Sequence, residues 1–174
     1  MTNGTSDIIA IIGFMGSGKS TIGARLASRL HMDFVDLDET ISEETGKSIK
    51  EIFAAEGEEG FREREQKALG EQLARGGKVI SCGGGVILRD ENVRLLREKC
   101  RVFFLRISEE RALERLIDDR GERPLLEVGD REKKVRELMS IRADRYLQTA
   151  HVVIDADRRD PEGIVEEIAA RWNV

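Results

Sequence analysis

The fold is decided by one stretch near the start of the chain, Gly13-Phe14-Met15-Gly16-Ser17-Gly18-Lys19-Ser20-Thr21. An apolar run, Ile8 to Ile12, precedes it, and a helical pattern of apolar residues begins at Ile22. Strand, glycine-rich loop and helix form the setting in which the pattern Gly-x-x-x-x-Gly-Lys-Ser binds phosphate. The sequence therefore predicts a nucleotide-binding P-loop.

Each residue type in this loop has a physical reason. Gly16 and Gly18 lack a Cβ, so the loop can turn back on itself and direct several backbone N–H groups at phosphate oxygens. Lys19 adds a positive charge for the β- and γ-phosphates, and the Ser20 hydroxyl can ligate the Mg²⁺ that bridges them. The alternative, a glycine-rich turn that binds nothing, is disfavoured by the strand and helix on either side. We expect ATP or GTP to bind at Gly16, Ser17, Gly18, Lys19, Ser20 and Thr21.

The composition is that of an ordinary soluble globular protein. Of the 174 residues, 40% are hydrophobic and 36% are charged, with a formal net charge of -5. The sequence has no dense run of Lys and Arg, and its basic residues are interleaved with acidic ones, which argues against a nucleic-acid partner. No apolar run approaches the roughly 18 residues of a membrane span, and residues 1–6 lack the features of a signal peptide. We expect a single cytoplasmic domain, residues 1–174, with Cys82 and Cys100 as reduced thiols.

The next predicted strand, residues 33–37, brings two acidic residues to its C-terminal end. Asp36 and Asp38 are two apart, and in a strand this spacing points both carboxylates toward the crevice where open α/β sheets bind ligands. One would suit a Mg²⁺ shell and the other a substrate hydroxyl. The alternative is that Asp38 merely caps the following helix. The P-loop favours the functional interpretation.

Residues 39–75 have a helical pattern that is broken at Gly46 and Gly57. Within it, Arg62 and Glu65 are three apart and share one helix face. An ion pair of this spacing on a solvated surface is the default interpretation.

Three consecutive glycines, Gly83 to Gly85, follow a predicted buried strand at residues 78–81. Because glycine costs backbone entropy, such a run indicates that something approaches the main chain closely. A flexible loop is the alternative. Further along, residues 101–107 form a strand, and Ser108 begins the next helix.

A charged segment with proline and glycine, about residues 118–130, is the best candidate for a mobile lid that excludes water and carries an arginine to the phosphates. A long helix follows at residues 131–149. The chain ends with a strand at residues 152–154 and a helix that Asp160 caps and Pro161 begins. This alternation predicts a three-layer α/β/α domain with a five-stranded, mainly parallel sheet, the P-loop NTPase fold with a mobile lid.

A P-loop alone does not separate a kinase from a switch or an ATPase. The sequence has no Asn-Lys-x-Asp stretch for guanine, and no strand ends in the Asp-Glu pair of hydrolytic P-loop enzymes. Asp36 would instead supply the acid on the Mg²⁺ side, which favours a small-molecule kinase.

Several short motifs also follow one another along the chain. Besides the P-loop and Asp36-x-Asp38, they are Gly46-Lys-Ser-Ile49, Glu51-Ile-Phe53, Phe61-Arg62-x-x-Glu65, Gly83-Gly-Gly85 and Arg123-Pro-Leu-Leu126. Each is modest alone, but in this order and at this spacing the set resembles the shikimate kinase family from end to end. The resemblance implies transfer of the ATP γ-phosphoryl group to the 3-hydroxyl of shikimate, a step toward the aromatic amino acids. It also implies one Mg²⁺ per monomer with ATP, held by Ser20 and Asp36.

The same resemblance implies roles for single residues. Asp38 would bind the shikimate hydroxyls and be the candidate base, with Lys19 and Arg123 as the other catalytic groups. Arg62 and Arg142 would hold the shikimate carboxylate beside the glycine run, Gly83, Gly84 and Gly85, with Gly84 giving its N–H. The lid arginine Arg123 would reach ATP, and the adenine would be flanked by Arg120, Arg159 and Pro161.

Two alternatives stay open from the sequence. Another small-metabolite kinase, for gluconate or a nucleoside monophosphate, would share the P-loop, but the arginine pair with the glycine triplet argues against it. A catalytically inactive nucleotide-binding regulator is the second, and the intact Lys19, Ser20, Asp36, Asp38 and Arg123 argue against that.

Overall fold

Five parallel strands form one sheet in the order β2-β3-β1-β4-β5 in the computed structural model, which describes residues 7–117 and 130–172. The strands are β1 Ile9–Ile12, β2 Asp33–Asp36, β3 Lys78–Ser81, β4 Arg101–Arg106 and β5 Val152–Asp155. The helices are α1 Lys19–Leu30, α2 Leu37–Thr45, α3 Ile49–Leu73, α4 Asp90–Lys99, α5 Glu109–Ile117, α6 Arg131–Thr149 and α7 Pro161–Trp172, with a short 3-10 helix at Val86–Leu88. The predicted order of strands and helices is confirmed.

The central strand β1 sets the position of the nucleotide loop. All four of its residues are fully buried, as expected for a parallel strand covered on both faces. Ile11 is in register with Ser81 on one side and with Phe103 on the other. Because the strands are parallel, the loops after β1, β2 and β3 leave the sheet at the same edge, where ligands bind in open α/β folds.

Helices lie on both faces of the sheet. Helices α1 and α7 contact each other, while α4 and α6 contact each other and the strand β4. The three-layer α/β/α architecture predicted from the sequence is therefore confirmed. None of the helices in residues 7–117 and 130–172 has the length and apolar character needed to cross a bilayer.

The helix boundaries have local chemical causes. Gly46 ends α2 in the left-handed conformation, with φ 66, and Ser48 begins α3 with a reciprocal capping box to Glu51. Gly57 breaks α3 with φ 72, as the sequence predicted. The Asp160 carboxylate accepts a 2.8 Å hydrogen bond from the Gly163 N–H, which confirms its prediction as the cap of α7.

The predicted lid, about residues 118–130, lies outside the described residues except for its last member. Asp130 caps α6, accepting a hydrogen bond from the Lys133 N–H at 3.2 Å. The expected ATP ligands Arg120 and Arg123 fall within the part of the lid that is not described.

Candidate active site

The loop after β1 has the geometry of a phosphate cradle. Gly16 and Gly18 adopt φ 80 and φ 91, which a residue with a Cβ rarely adopts. Gly18 is the N-cap of α1, so the first N–H groups of that helix face the loop. The Lys19 ammonium donates to the Phe14 carbonyl at 3.0 Å and thus lies folded over the loop. This arrangement concentrates positive potential where a phosphate would lie.

Asp36 connects the P-loop helix to the end of β2. Its Oδ2 accepts a 2.5 Å hydrogen bond from the Ser20 hydroxyl, and its Oδ1 accepts from the N–H groups of Asp38 and Glu39 at 3.0 and 3.3 Å. Asp36 is therefore the N-cap of α2, and the interpretation of Asp38 as the cap is wrong. The two acids are not side by side on a strand either, because β2 ends at Asp36 and Asp38 lies in the first turn of α2.

The oxygen atoms around Ser20 are of the kind that ligate Mg²⁺. Ser81, at the end of β3, places its hydroxyl oxygen 3.4 Å from that of Ser20, beside the Asp36 carboxylate. Hydroxyl and carboxylate oxygens are hard ligands, and Mg²⁺ combines one or two of them with water and phosphate. Within residues 7–117 and 130–172, no group of three or more His, Cys, Asp or Glu side chains could form an all-protein cage.

A crevice of about 430 Å³ opens between the P-loop and the ends of β2 and β3. Its size is in the range of small-molecule sites. Asp38 is half-buried and lines it together with residues of the P-loop. The lining includes Lys19, Ser20, Asp36, Asp38, Ser81, Gly84 and Arg115.

Arg62 and Glu65 form a buried ion pair, so the solvated-surface interpretation is wrong. Arg62 Nη1 donates to Glu65 Oε2 at 2.8 Å, and the two side chains are only 7% and 0% exposed. Arg62 also contacts Glu58 at 3.3 Å. Burial raises the pKa of Glu65 to about 7, although the positive charge of Arg62 opposes this. The i, i+3 spacing predicted the pair but contained no information on which face of α3 would turn inward.

The glycine run forms a tight turn, and side chains from other parts of the chain pack closely against it. A Cβ on Gly83 would lie 2.5 Å from Glu65 Oε1 and 2.9 Å from Asp38 Oδ1, and one on Gly85 would overlap the Arg62 guanidinium. A Cβ on Gly84 would have its nearest neighbour at 3.5 Å. The close approach inferred from the sequence is thus made by side chains of this chain at the two outer glycines. Hydrogen bonds from Val86 N–H to Gly83 O and from Leu88 N–H to Gly85 O give the turn a fixed shape.

Helix α6 brings a second buried arginine to this turn. Arg142 is 2% exposed, and its Nη1 lies 3.4 Å from the Gly84 carbonyl oxygen. Tyr146, one helical turn later, donates its hydroxyl proton to the same oxygen. Arg62 and Arg142 therefore both lie against one glycine turn, with Asp38 beside Gly83.

Arg159 and Pro161 lie after β5, at the same edge of the sheet as the P-loop. The Arg159 guanidinium contacts Glu167 at 2.5 Å and the Gly163 carbonyl at 3.1 Å, so it is held against the start of α7. Pro161 is the first residue of α7. Neither residue is part of the lining of the crevice described above.

Sequence reasoning missed one cation at the nucleotide loop. Arg115 of α5 donates to the Gly16 carbonyl at 2.7 Å and lines the crevice. Burial, followed by the charge of Arg111, lowers the pKa of its guanidinium. Arg115 belongs to no motif in the sequence and stands among other charged residues of an amphipathic helix, so no local signal distinguishes it. Only the packing of α5 against the loop identifies it.

Comparisons with known proteins agree with this geometry. The family model described as shikimate kinase matches residues 15–173. A shikimate kinase of Pseudomonas paraeruginosa (strain DSM 24068 / PA7) is 44% identical over 163 residues, 94% of each chain. That of Thioalkalivibrio sulfidiphilus (strain HL-EbGR7) is 44% identical over 98% of this chain and 88% of its own.

Solved structures give the same result. Shikimate kinase from Acinetobacter baumannii in complex with shikimate superposes with a TM-score of 0.91 at 36% identity, covering 94% of this chain and 91% of that one. Deoxyadenosine kinase from M. mycoides shares the fold alone, with a TM-score of 0.58 at 17% identity over 96% of this chain and all of its own. The match of the family model over nearly the whole length and the 44% identity together establish that this chain belongs to the shikimate kinase family.

Proposed function

We propose that this protein transfers the γ-phosphoryl group of ATP to the 3-hydroxyl of shikimate, giving shikimate 3-phosphate and ADP. The observation that carries the proposal is the arrangement across one crevice. Lys19 and Ser20 of the P-loop line it together with Asp38 and with Gly84 of the glycine turn. Phosphoryl transfer requires a nucleotide and an acceptor alcohol to be held face to face.

The two buried arginines support a small carboxylic acid as the acceptor. Arg62 and Arg142 approach the glycine turn from α3 and α6. Arg142 donates to a neutral carbonyl oxygen, and the nearby Glu65 carboxyl is already paired with Arg62. An anionic ligand would therefore compensate the charge of Arg142 better than its present neighbours do. Guanidinium groups bind carboxylates by charge-assisted hydrogen bonds. We assign both arginines and Gly83, Gly84 and Gly85 to the carboxylate of shikimate, with Gly84 donating its N–H.

Asp38 is the group we assign to the reacting hydroxyl. It lies in the first turn of α2, beside Gly83 and across the crevice from the P-loop. A carboxylate there accepts the hydrogen bond of the 3-hydroxyl and orients its oxygen toward the γ-phosphate. Lys19 stabilises the negative charge on the transferred group, and the backbone of Gly16, Ser17, Gly18, Ser20 and Thr21 holds the phosphates.

We assign one Mg²⁺, arriving with ATP, to the Ser20 hydroxyl and the Asp36 carboxylate. Their contact at 2.5 Å and their hard oxygen donors support this assignment. The ion neutralises charge on the β- and γ-phosphates when it is bound. Asp36 is fixed by two backbone N–H groups, so it holds its place without the ion.

The remaining assignments rest on the family resemblance. We propose that residues 1–174 form one kinase domain, with a lid at about 118–130 and substrate-binding helices at about 38–75. Arg123 would reach ATP from the lid, and Arg120, Arg159 and Pro161 would flank the adenine. We further propose a monomer in the cytoplasm, where Cys82 and Cys100, both buried free thiols, stay reduced.

Acceptor specificity tests the proposal. ADP release is measured with Mg²⁺ and ATP in the presence of shikimate, gluconate, a nucleoside monophosphate or no acceptor, and the product is identified by ³¹P NMR. We expect ADP to form stoichiometrically with shikimate 3-phosphate and with no other acceptor. ADP formation with gluconate or a nucleotide would identify a different kinase, and no turnover with any acceptor would indicate an inactive nucleotide-binding protein.

A further inference from the structure

Tyr146 is the only tyrosine of the chain and lies buried behind the glycine turn. Its ring stacks on that of Phe104 in β4, with centroids 5.0 Å apart and 15° between the planes. Its hydroxyl donates to the Gly84 carbonyl oxygen. Burial raises the pKa of this hydroxyl to about 12, so it remains a proton donor at neutral pH.

The peptide between Gly84 and Gly85 needs such a restraint. Glycine torsions are poorly restricted, and three glycines stand in a row here. The two backbone hydrogen bonds of the turn use the carbonyls of Gly83 and Gly85 and leave the Gly84 carbonyl to α6. Because a peptide group is planar, fixing this carbonyl also fixes the direction of the Gly85 N–H on its opposite edge. Tyr146 therefore sets the orientation of the Gly84–Gly85 peptide, which directly follows the Gly84 N–H assigned to the carboxylate.

Tyr146 also acts on Arg142. The two residues are four apart on α6, both donate to the same carbonyl oxygen, and the Arg142 guanidinium also contacts the Tyr146 hydroxyl. A carbonyl oxygen that already accepts one hydrogen bond attracts a second donor less. The Arg142 guanidinium, with five N–H groups, thus keeps donors for an anion.

We propose that Tyr146 is a positioning residue for the substrate carboxylate: its hydroxyl orients the Gly84–Gly85 peptide and keeps Arg142 directed at the anion. The inference rests on the proposed function, in which Arg142 and the glycine turn bind the carboxylate of shikimate. Tyr146 acts through these two groups and does not contact the substrate.

The variant Tyr146→Phe tests this role, because it removes only the hydroxyl and leaves the ring against Phe104. We expect the KM for shikimate to rise about 5- to 30-fold, the range for one lost buried hydrogen bond. The kcat and the KM for ATP should each stay within about twofold, since the P-loop and Asp38 are unaffected. Shikimate affinity is measured separately by calorimetry without ATP.

Thr149→Val is the matched control. Thr149 is fully buried on the same helix, and its hydroxyl donates to the Arg145 carbonyl at 2.6 Å. It makes the same type of hydrogen bond away from the glycine turn. If the role of Tyr146 is purely structural, both variants should have a lower melting temperature and the KM of the wild type for shikimate. A positioning role raises this KM only in Tyr146→Phe.

The single tyrosine allows a second measurement that does not depend on a folded variant. Growth on 3-fluorotyrosine labels only position 146 in the otherwise wild-type protein, and ¹⁹F NMR then reports on this ring. We expect shikimate to shift the resonance, and Mg²⁺ with ADP alone to leave it unchanged. An unchanged resonance with saturating shikimate, or a wild-type KM in Tyr146→Phe, would overturn the proposal. If the wild-type protein binds shikimate but does not phosphorylate it, the proposed function is wrong. The role of Tyr146 in binding is still tested in that case, because calorimetry compares the shikimate affinity of the two variants without any turnover.

Discussion

The Ser20 hydroxyl and the Asp36 carboxylate lie 2.5 Å apart and join the start of α1 to the end of β2. Asp36 has two tasks in this arrangement. One carboxylate oxygen faces the nucleotide loop, and the other caps α2. The starts of α1 and α2, which both border the crevice, therefore share one side chain.

The substitution Asp36→Asn separates these two tasks. Asparagine caps a helix about as well as aspartate, so we expect the free energy of unfolding to change by less than about 0.5 kcal/mol. The lost charge should raise the Mg²⁺ concentration for half-maximal velocity at least about tenfold. Asp33→Asn, on the exposed start of β2, is the control and should leave both quantities unchanged. An Asp36→Asn enzyme with the Mg²⁺ dependence of the wild type would rule out Asp36 as a ligand of the ion or of its waters.

Asp38→Asn should act on turnover. The amide retains an oxygen near the substrate but is a poor base, and loss of general base catalysis typically costs about 10²- to 10⁴-fold. We expect kcat to fall by at least about 10² with the KM for ATP unchanged, measured by steady-state ADP release. Glu44→Gln, exposed near the end of the same helix and outside the lining of the crevice, should behave as the wild type. Equal loss of activity in both variants would indicate a general electrostatic effect.

Arg142→Ala should weaken shikimate binding by roughly 30-fold or more, because losing one partner of a buried charged pair costs about 2–5 kcal/mol. ATP binding should be nearly intact. Calorimetric titration with each substrate checks both statements. Arg136→Ala, on the exposed face of the same helix, should bind both substrates normally. An equal loss of affinity for ATP and shikimate in Arg142→Ala would contradict the assignment.

Gly85→Ala should affect binding more than folding. Gly85 has φ -102, which alanine adopts readily, but the new Cβ would overlap the guanidinium of Arg62. The guanidinium is the far end of a long side chain and can shift, but its buried pair with Glu65 is then disturbed, so some stability is lost as well. We expect a KM for shikimate raised by about tenfold or more, the loss of one charge-assisted contact. Gly70→Ala is the control, because nothing lies within 4 Å of its position in α3, and it should stabilise the helix by about 0.5–1 kcal/mol.

The buried carboxyl group of Glu65 should make stability depend on pH. Its pKa is raised from 4.5 to about 7, mainly by burial, so folding favours its protonated form. This contribution to the free energy of unfolding is fully present below pH 4.5 and is lost as the pH rises through about 7. We expect the free energy of unfolding of the wild type, relative to that of Glu65→Gln, to fall as the pH rises from 4.5 to 8. Urea unfolding at several pH values measures this difference. Parallel stability curves for the two proteins would contradict a raised pKa.

Local chemistry made much of the fold predictable. The P-loop between an apolar run and an amphipathic helix placed β1 and α1, and the break at Gly57 and the cap at Asp160 were also read correctly. These features depend on residues within a few positions of each other, and their torsions and hydrogen bonds are largely independent of the rest of the chain.

The ordered motifs also determined the family, which the comparisons confirm. Motif spacing is a property of the chain itself, so no packing information is needed to recognise it.

Only the tertiary structure decided how the site is assembled. The spacing of Arg62 and Glu65 fits a surface pair and a buried pair equally well, and the packing of α3 against the glycine turn selects the buried one. Tertiary packing also decides three other features: Asp36 caps α2, Arg115 lies at the P-loop, and Tyr146 contacts Gly84. Burial and long-range contacts depend on how separate elements pack against each other, and the neighbours of a residue in sequence do not contain that information.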